Sequence, residues 1–339
     1  MGEEQKVKIK KIVLAVLALS LCAAILCGCS YKKVRHKPEE YILKTNYKKD
    51  FKILQLNDIH LANKDNRREQ YDFLDGTITM ADPDMIIMCG DLFTFADRRV
   101  AKELFAFMDS YGIPWTLTFG NHDEQCYFPI DWATGVLNEY GSNCLFKDIQ
   151  DDDVFGNSNF AINLMDGDEI KKQIIMIDSN RYNYGEYIGY DYLKQDQIDW
   201  YERLVNYTTK QNGGTPVKSL AFFHIPLPEF DTALKEAKEG GKDAQLISGE
   251  QREDVCCPKV NSGMFDKMLE LGSTEGVFVA HDHVNDAIVK YKGILLSYGI
   301  NSTDRIYYEE GLIGGRVITI HEDGSLDFDD ILHTYEEVE

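Results

Sequence analysis

Eight histidines occur in the 339 residues, and five of them follow short apolar runs. FKILQL (51–56) leads into Asn57-Asp58-Ile59-His60, and MIIMCG (85–90) into Asp91. PWTLTFG (114–120) leads into Asn121-His122-Asp123, SLAFF (219–223) into His224, and GVFVA (276–280) into His281 and His283. Taken singly, each has an ordinary reading. A lone histidine after a strand usually satisfies a backbone carbonyl, and Gly90-Asp91 is a common turn dipeptide. Together they are harder to dismiss, because five apolar runs end in oxygen or imidazole donors and none of the donors is a thiolate. Carboxylate, amide and imidazole groups suit Mn, Fe, Zn or similar divalent ions rather than a cysteine-type structural zinc site. The candidate ligands are Asp58, His60, Asp91, Asn121, His224, His281 and His283. That is more than one ion usually takes from protein, so two ions sharing a carboxylate are the economical inference.

Something must bring these residues together. The runs have the length and the Ile, Val, Phe and Leu content of buried strands, as do QIIMID (173–178), GILLSYG (293–299) and GRVITI (315–320). Between the early runs the pattern turns helical. Val100, Leu104, Met108 and Tyr111 recur at spacings of four, four and three over Asp97 to Tyr111. A second helix is predicted over Gln195 to Tyr207, with Ile198, Trp200, Tyr201 and Leu204 available to pack. The order begins as strand-helix-strand-helix-strand and later becomes richer in strands. An α/β fold with a two-sheet core and outer helices fits it. Strand ends at one edge of such a sheet face a common crevice, where α/β folds place their sites.

Asp58-x-His60, Gly90-Asp91, Gly120-Asn121-His122-Asp123, His224 and His281-x-His283, in that order, resemble the five blocks of the calcineurin-like metallophosphoesterases. The resemblance covers about residues 50 to 320, and HIPLPE (224–229) with HDHVND (281–286) is similar to a purple-acid-phosphatase-like branch. It implies a β-sandwich flanked by helices in α/β/β/α layers. It also implies that Asp58, His60 and His283 hold one metal, that Asn121, His224 and His281 hold the other, and that Asp91 bridges them. His122, oriented by Asp123, would touch the substrate. The implied activity is hydrolysis of phosphate esters, mono- or diester, with a metal-bridging water or hydroxide as nucleophile and His122 as acid or stabiliser. Two departures stand out. Ala280 occupies the position before His281 where the fifth block usually has Gly, and Thr94 stands where purple enzymes have an iron-binding Tyr. A non-catalytic, metal-stabilised binding lipoprotein is the alternative from a different class.

Composition bounds the partners. With 36 Lys+Arg against 57 Asp+Glu the net charge is −21, which argues against passive nucleic-acid binding but not against a small phosphorylated substrate held by cations. Near the N-terminus, Lys6, Lys8, Lys10 and Lys11 precede an uncharged apolar run from Ile12 to Cys29. A basic segment before an apolar one reads as an export signal. Leu26-Cys27-Gly28-Cys29 resembles a bacterial lipobox with Cys29 as the lipidated residue; a retained membrane anchor over residues 1–29 is the alternative. Either places the body outside the cytoplasm, membrane-anchored, with residues 30–45 as a tether and 46–339 as the phosphoesterase domain. Five cysteines lie beyond Cys29, with no spacing that suggests a disulfide framework, and Cys256-Cys257 reads as a structural pair.

Weaker candidates remain around the crevice. Arg67 and Arg68 could reach a phosphate or merely start a helix. Asp178-Ser179-Asn180-Arg181 could shape the pocket wall, and Arg305 could contact substrate. Tyr182, Tyr184, Tyr187, Tyr190 and Tyr192 form an aromatic-rich loop, read first as a packed surface loop and second as a stacking platform for a base or sugar.

Overall fold

The computed structural model describes residues 36–333 except 65, 142, 150–152 and 186. In chain order the strands and helices are β1 (Ile42–Asn46), β2 (Phe51–Leu56), α1 (Arg67–Ala81), β3 (Met85–Cys89), α2 (Arg98–Asp109), β4 (Trp115–Thr118), α3 (Ile130–Leu137), β5 (Phe160–Asp166), β6 (Glu169–Met176), β7 (Tyr182–Asn183), β8 (Gly189–Tyr190), α4 (Gln195–Gln211), β9 (Ser219–Phe222), α5 (Pro228–Lys238), β10 (Ala244–Ser248), α6 (Met264–Leu271), β11 (Thr274–Val279), β12 (Ile288–Tyr291), β13 (Ile294–Tyr298), β14 (Gly314–Ile320) and β15 (Leu326–Leu332).

Two main sheets result. One has eight strands in the order β1-β5-β6-β9-β11-β13-β12-β10, and the other has five in the order β15-β14-β2-β3-β4. Within each sheet the ligand-bearing strands run parallel to one another: β2 to β3, β3 to β4, and β9 to β11. Their C-terminal ends therefore point the same way within each sheet, which is why five separate segments can meet at one edge.

Alternation along the strands explains how two faces are buried at once. On β9, Leu220 and Phe222 join a core shared with Leu54, Leu56 and Met88 of the smaller sheet. Ala221 and Phe223 face the other way, into a second core with Trp200 and Tyr201 of α4 and Phe265 of α6. β11 repeats the pattern, with Phe278 in the first core and Val277 and Val279 in the second. The architecture is thus a two-sheet sandwich with helices outside, as the order of elements implies.

Element bounds follow local chemistry. Asp97 caps α2, its carboxylate accepting from the Arg99 and Val100 backbone amides, so the helix begins one residue after the predicted start. α4 runs to Gln211, past the predicted end, because Val205 and Thr208 are buried and extend its packed face.

The boundary of the tether needs correction. Residues 42–46 form β1, which pairs in parallel with β5, and Tyr41 is buried against Trp200 with ring centroids 5.7 Å apart. The fold therefore begins before residue 46, and part of the expected tether is an edge strand anchored by an aromatic side chain. The apolar run from Ile12 to Cys29, with its lipobox, lies outside the described residues. Among the described residues, no helix is long and apolar enough to cross a membrane.

Candidate metal centre

At the ends of β2, β3 and β11 the chain turns sharply before presenting its ligands. Asp58, His60, Asp91 and His281 all adopt left-handed backbone conformations, with φ of 51°, 50°, 49° and 77°. Such conformations cost about 1–3 kcal/mol each in non-glycine residues and cluster where function over-determines geometry. The turns bring backbone and ligands very close. A Cβ on Gly90 (φ +83°) would lie 2.5 Å from the His224 ring, and one on Gly120 would lie 2.3 Å from the Asp91 carboxylate. Both positions need glycine for that reason. Ala280, where the fifth block usually has Gly, is buried in the first core, and its amide donates to the His224 carbonyl at 3.0 Å.

Two buried triads emerge: Asp58, His60 and His283, and Asp91, His224 and His281, the ligand atoms of each within 4.8 Å of one another. Oδ2 of Asp91 lies 3.1 Å from Nε2 of His224 and 3.8 Å from Nε2 of His60, so one carboxylate oxygen faces both triads. Asn121 joins the second group, its Oδ1 3.2 Å from His224 Nε2 while its Nδ2 donates to the Tyr182 hydroxyl.

Whether this set fits a metal can be judged from its free atoms. His224 Nδ1 donates to the Cys89 carbonyl and His283 Nδ1 to the Tyr307 carbonyl, both at 3.0 Å. His60 Nδ1 lies 2.7 Å from the Thr94 hydroxyl. Three imidazoles thus have Nδ1 committed to the protein and Nε2 turned inward, the arrangement of metal-binding histidines. His281 turns Nδ1 into the group, 3.2 Å from His224 Nε2, and Oδ1 of Asp58 is buried with no hydrogen-bond partner. Buried polar atoms are rarely left so. The donor set fits a pair of divalent cations.

Electrostatics point the same way. Burial pushes the Asp58 carboxyl up to about 7, with the Asp91 charge adding to it. Burial opposes ionisation of Asp91 too, but the His224 charge and hydrogen bond outweigh it and hold this carboxyl well below its usual range. Burial disfavours the His224 cation as well, yet Asp91 overrides it and raises the imidazole to about 9. Desolvation depresses His60 to about 3 and His281 well below the ordinary histidine value. Without cations, protons serve as counter-charges in this pocket.

A scan against family models matches the calcineurin-like phosphoesterases over residues 51–285. The chain belongs to that family. Within it, similar relatives are the probable inactive purple acid phosphatases 14 and 29 of Arabidopsis thaliana. They are 28% identical over 85% of this chain and 78% of the relative, and 29% identical over 74% and 71%. A Saccharomyces cerevisiae phosphatase, DCR2, is 27% identical over 70% of this chain and 44% of its own length. Among solved folds, a dimetal phosphatase from Danio rerio aligns with a TM-score of 0.53 at 13% identity, covering 85% of this chain and all of that one. It is a likeness of fold.

His122 stands outside both triads in this calcineurin-like site. Its backbone amide donates to Asp91 Oδ1 at 2.7 Å, and its half-buried ring meets His60 edge-on with centroids 5.1 Å apart. Asp123 does not orient it. The Asp123 carboxylate accepts from the Gly120 and Phe93 amides at 2.7 and 2.9 Å, tying two ligand loops together. The partner of His122 Nδ1 is Gln125 Oε1, at 2.9 Å. Asp123 is the next residue on a turn of short helix, so its side chain points away from the ring, whereas Gln125, three residues on, returns beneath it.

Other candidates are engaged by acidic partners outside the ligand groups or brace neighbouring loops. Arg67 pairs with Glu103 at 2.9 Å, Arg68 sits exposed near Asp72, and Arg305 pairs with Glu69 at 2.9 Å. Asp178 and Asn180 brace the wall, Asp178 accepting from the amides of Asn157 and Asn180. Cys256 and Cys257 are free thiols, as are the other described cysteines. Thr94, Gln125 and Tyr307 were not legible as site residues; the nearest signal was Thr94 at the purple-type tyrosine position.

Proposed function

We propose that this protein is a dinuclear metal-dependent hydrolase of phosphate esters. The observation that carries the reading is the single Asp91 oxygen within 4 Å of histidines from both triads. When bound, two divalent cations would lower the pKa of a water and neutralise phosphoryl oxygens. Asp58, His60 and His283 would hold one ion, Asn121, His224 and His281 the other, and Asp91 both.

The chain's own residues then supply positioning and a proton. His122, fixed through its amide to Asp91 and through Nδ1 to Gln125, presents Nε2 beside the first triad. From there it can donate a hydrogen bond to a phosphoryl oxygen or a proton to a departing alkoxide. Burial of the ligand shell excludes bulk water and strengthens each of these interactions. A panel of phosphomonoesters, diesters and nucleotides, tried with metal-loaded and metal-stripped protein, tests the reading. Turnover of at least one ester that depends on added metal is expected; its absence across the panel contradicts it.

A second reading is binding without turnover, favoured by the words "probable inactive" in the names of two relatives. Metal-dependent ligand binding with no product in the same panel would select it. Tethering outside the cytoplasmic membrane through Cys29 is a further part of the proposal, resting on Leu26-Cys27-Gly28-Cys29 after the apolar run. A diacylglyceryl group supplies the two chains stable anchoring needs. Mass spectrometry of the mature N-terminus should find a modified Cys29, and an intact unmodified N-terminus would rule it out.

A further inference from the structure

Segments packed against the ligands also hold large apolar side chains out in solvent. Hairpin β7–β8 lies against the second triad. The Tyr182 hydroxyl accepts from Asn121 at 2.7 Å, and the Tyr190 ring meets His281 edge-on at 4.4 Å between centroids. Tyr182 stacks on Tyr190 at 5.8 Å, and Tyr184 continues the row 5.9 Å from Tyr182. Rings that serve packing alone are covered, and the outer ones here are not. Tyr184 is 73% exposed, and Ile188 in the same turn is 80% exposed. Beside the first triad, Tyr307 stacks flat on His283 at 4.4 Å and is 52% exposed. Phe95, next to Thr94, is 55% exposed and held by a left-handed backbone (φ 50°).

The charged groups around this rim bear on what it can receive. Arg252 pairs with Asp286 at 2.5 Å, Arg305 with Glu69 at 2.9 Å, and Lys194 with Asp191 at 2.6 Å. Glu253 meets the Tyr307 hydroxyl at 3.3 Å, adding negative charge at the first-triad side. Lys259 lies over the Tyr187 ring, 5.6 Å from its centroid and 3.4 Å from the Ile188 carbonyl. A flat apolar group needs exposed rings, which this rim has.

We propose that the site selects phosphate esters carrying a flat aromatic ring on the alcohol, stacked on Tyr184 at the end of the Tyr190–Tyr182–Tyr184 row. The proposal rests on the phosphoesterase reading and narrows its substrate class. It also joins the two expectations for the tyrosine loop: the inner rings pack on ligands, and the outer ring is left for the substrate.

Three phosphonates separate tail from head: 2-naphthylmethylphosphonate, propylphosphonate and 2-(trimethylammonio)ethylphosphonate. Titration calorimetry on the metal-loaded full chain should show the naphthyl compound binding about tenfold tighter than the propyl one, the size of one stacking contact. In Tyr184→Ala that difference should collapse. Equal affinities in the wild type, tightest binding of the trimethylammonium compound, an undiminished difference in Tyr184→Ala, or no phosphonate binding would each overturn the proposal. Turnover of propyl and glycerol phosphates by the same preparation tests the underlying reading separately. Hydrolysis without any tail preference sinks only the aromatic subsite; a tail preference without hydrolysis of any ester sinks only the catalytic reading.

Discussion

The Thr94 hydroxyl lies 2.7 Å from Nδ1 of His60, so the residue at the purple-type tyrosine position acts on a ligand rather than serving as one. It fixes the imidazole with Nε2 inward. Thr94→Val keeps the shape and removes the hydroxyl. It should weaken binding of one metal by about 10–100-fold, the usual effect of losing a partner of a ligating histidine. Competition with a chelator measures this, and an unchanged affinity would contradict the role. For the same reason, iron-loaded wild-type protein should show no intense tyrosinate charge-transfer band in the visible range.

His122 and Gln125 should act in series. His122→Ala is expected to lower kcat by roughly 10²–10⁴-fold, with the loss smallest for esters with good leaving groups. Gln125→Ala removes one neutral hydrogen bond to the ring, worth about 1 kcal/mol, and should cost only about five- to tenfold. It should steepen the dependence on leaving-group pKa in the same sense as His122→Ala. A Gln125→Ala enzyme with wild-type rates and an unaltered leaving-group dependence would show that the contact is incidental.

Metal uptake should release protons. His224 is raised to about 9 by Asp91, and Asp58 to about 7 by burial, so at pH 7 the metal-free pocket carries a proton on His224 and a partial one on Asp58. Ligation requires both groups deprotonated. Affinity should therefore rise with pH by up to ~tenfold per unit between 7 and 9 as His224 gives up its proton, and more steeply below 7, where Asp58 adds a second. Calorimetry in buffers of different ionisation enthalpy counts the protons. A flat affinity from pH 6 to 9 would contradict this electrostatic picture.

Much of the centre could be read from residue order because each ligand follows an apolar run, and apolar runs of that length become buried strands. Asp58, Asp91, His224 and His281 are legible in that way. Adjacency of Asp123 to His122 in sequence says nothing about side-chain direction, and its carboxylate accepts from the Gly120 and Phe93 amides. Gln125 carried no motif, and its role depends on one turn of short helix folding back under the ring. β1 was hidden for another reason. ILKTN is half polar, and only pairing with β5 at the sheet edge makes it a strand.

The central claim is that two ions share Asp91 while His122 serves only the substrate. Metal content after dialysis, determined by mass spectrometry for wild type, Asp91→Ala and His122→Ala, tests it most directly. Two equivalents in the wild type, fewer than one in Asp91→Ala and two in His122→Ala are the predicted values, because removing the shared carboxylate leaves two cations in close repulsion. A single equivalent in the wild type, two equivalents retained by Asp91→Ala, or loss of metal from His122→Ala would contradict it.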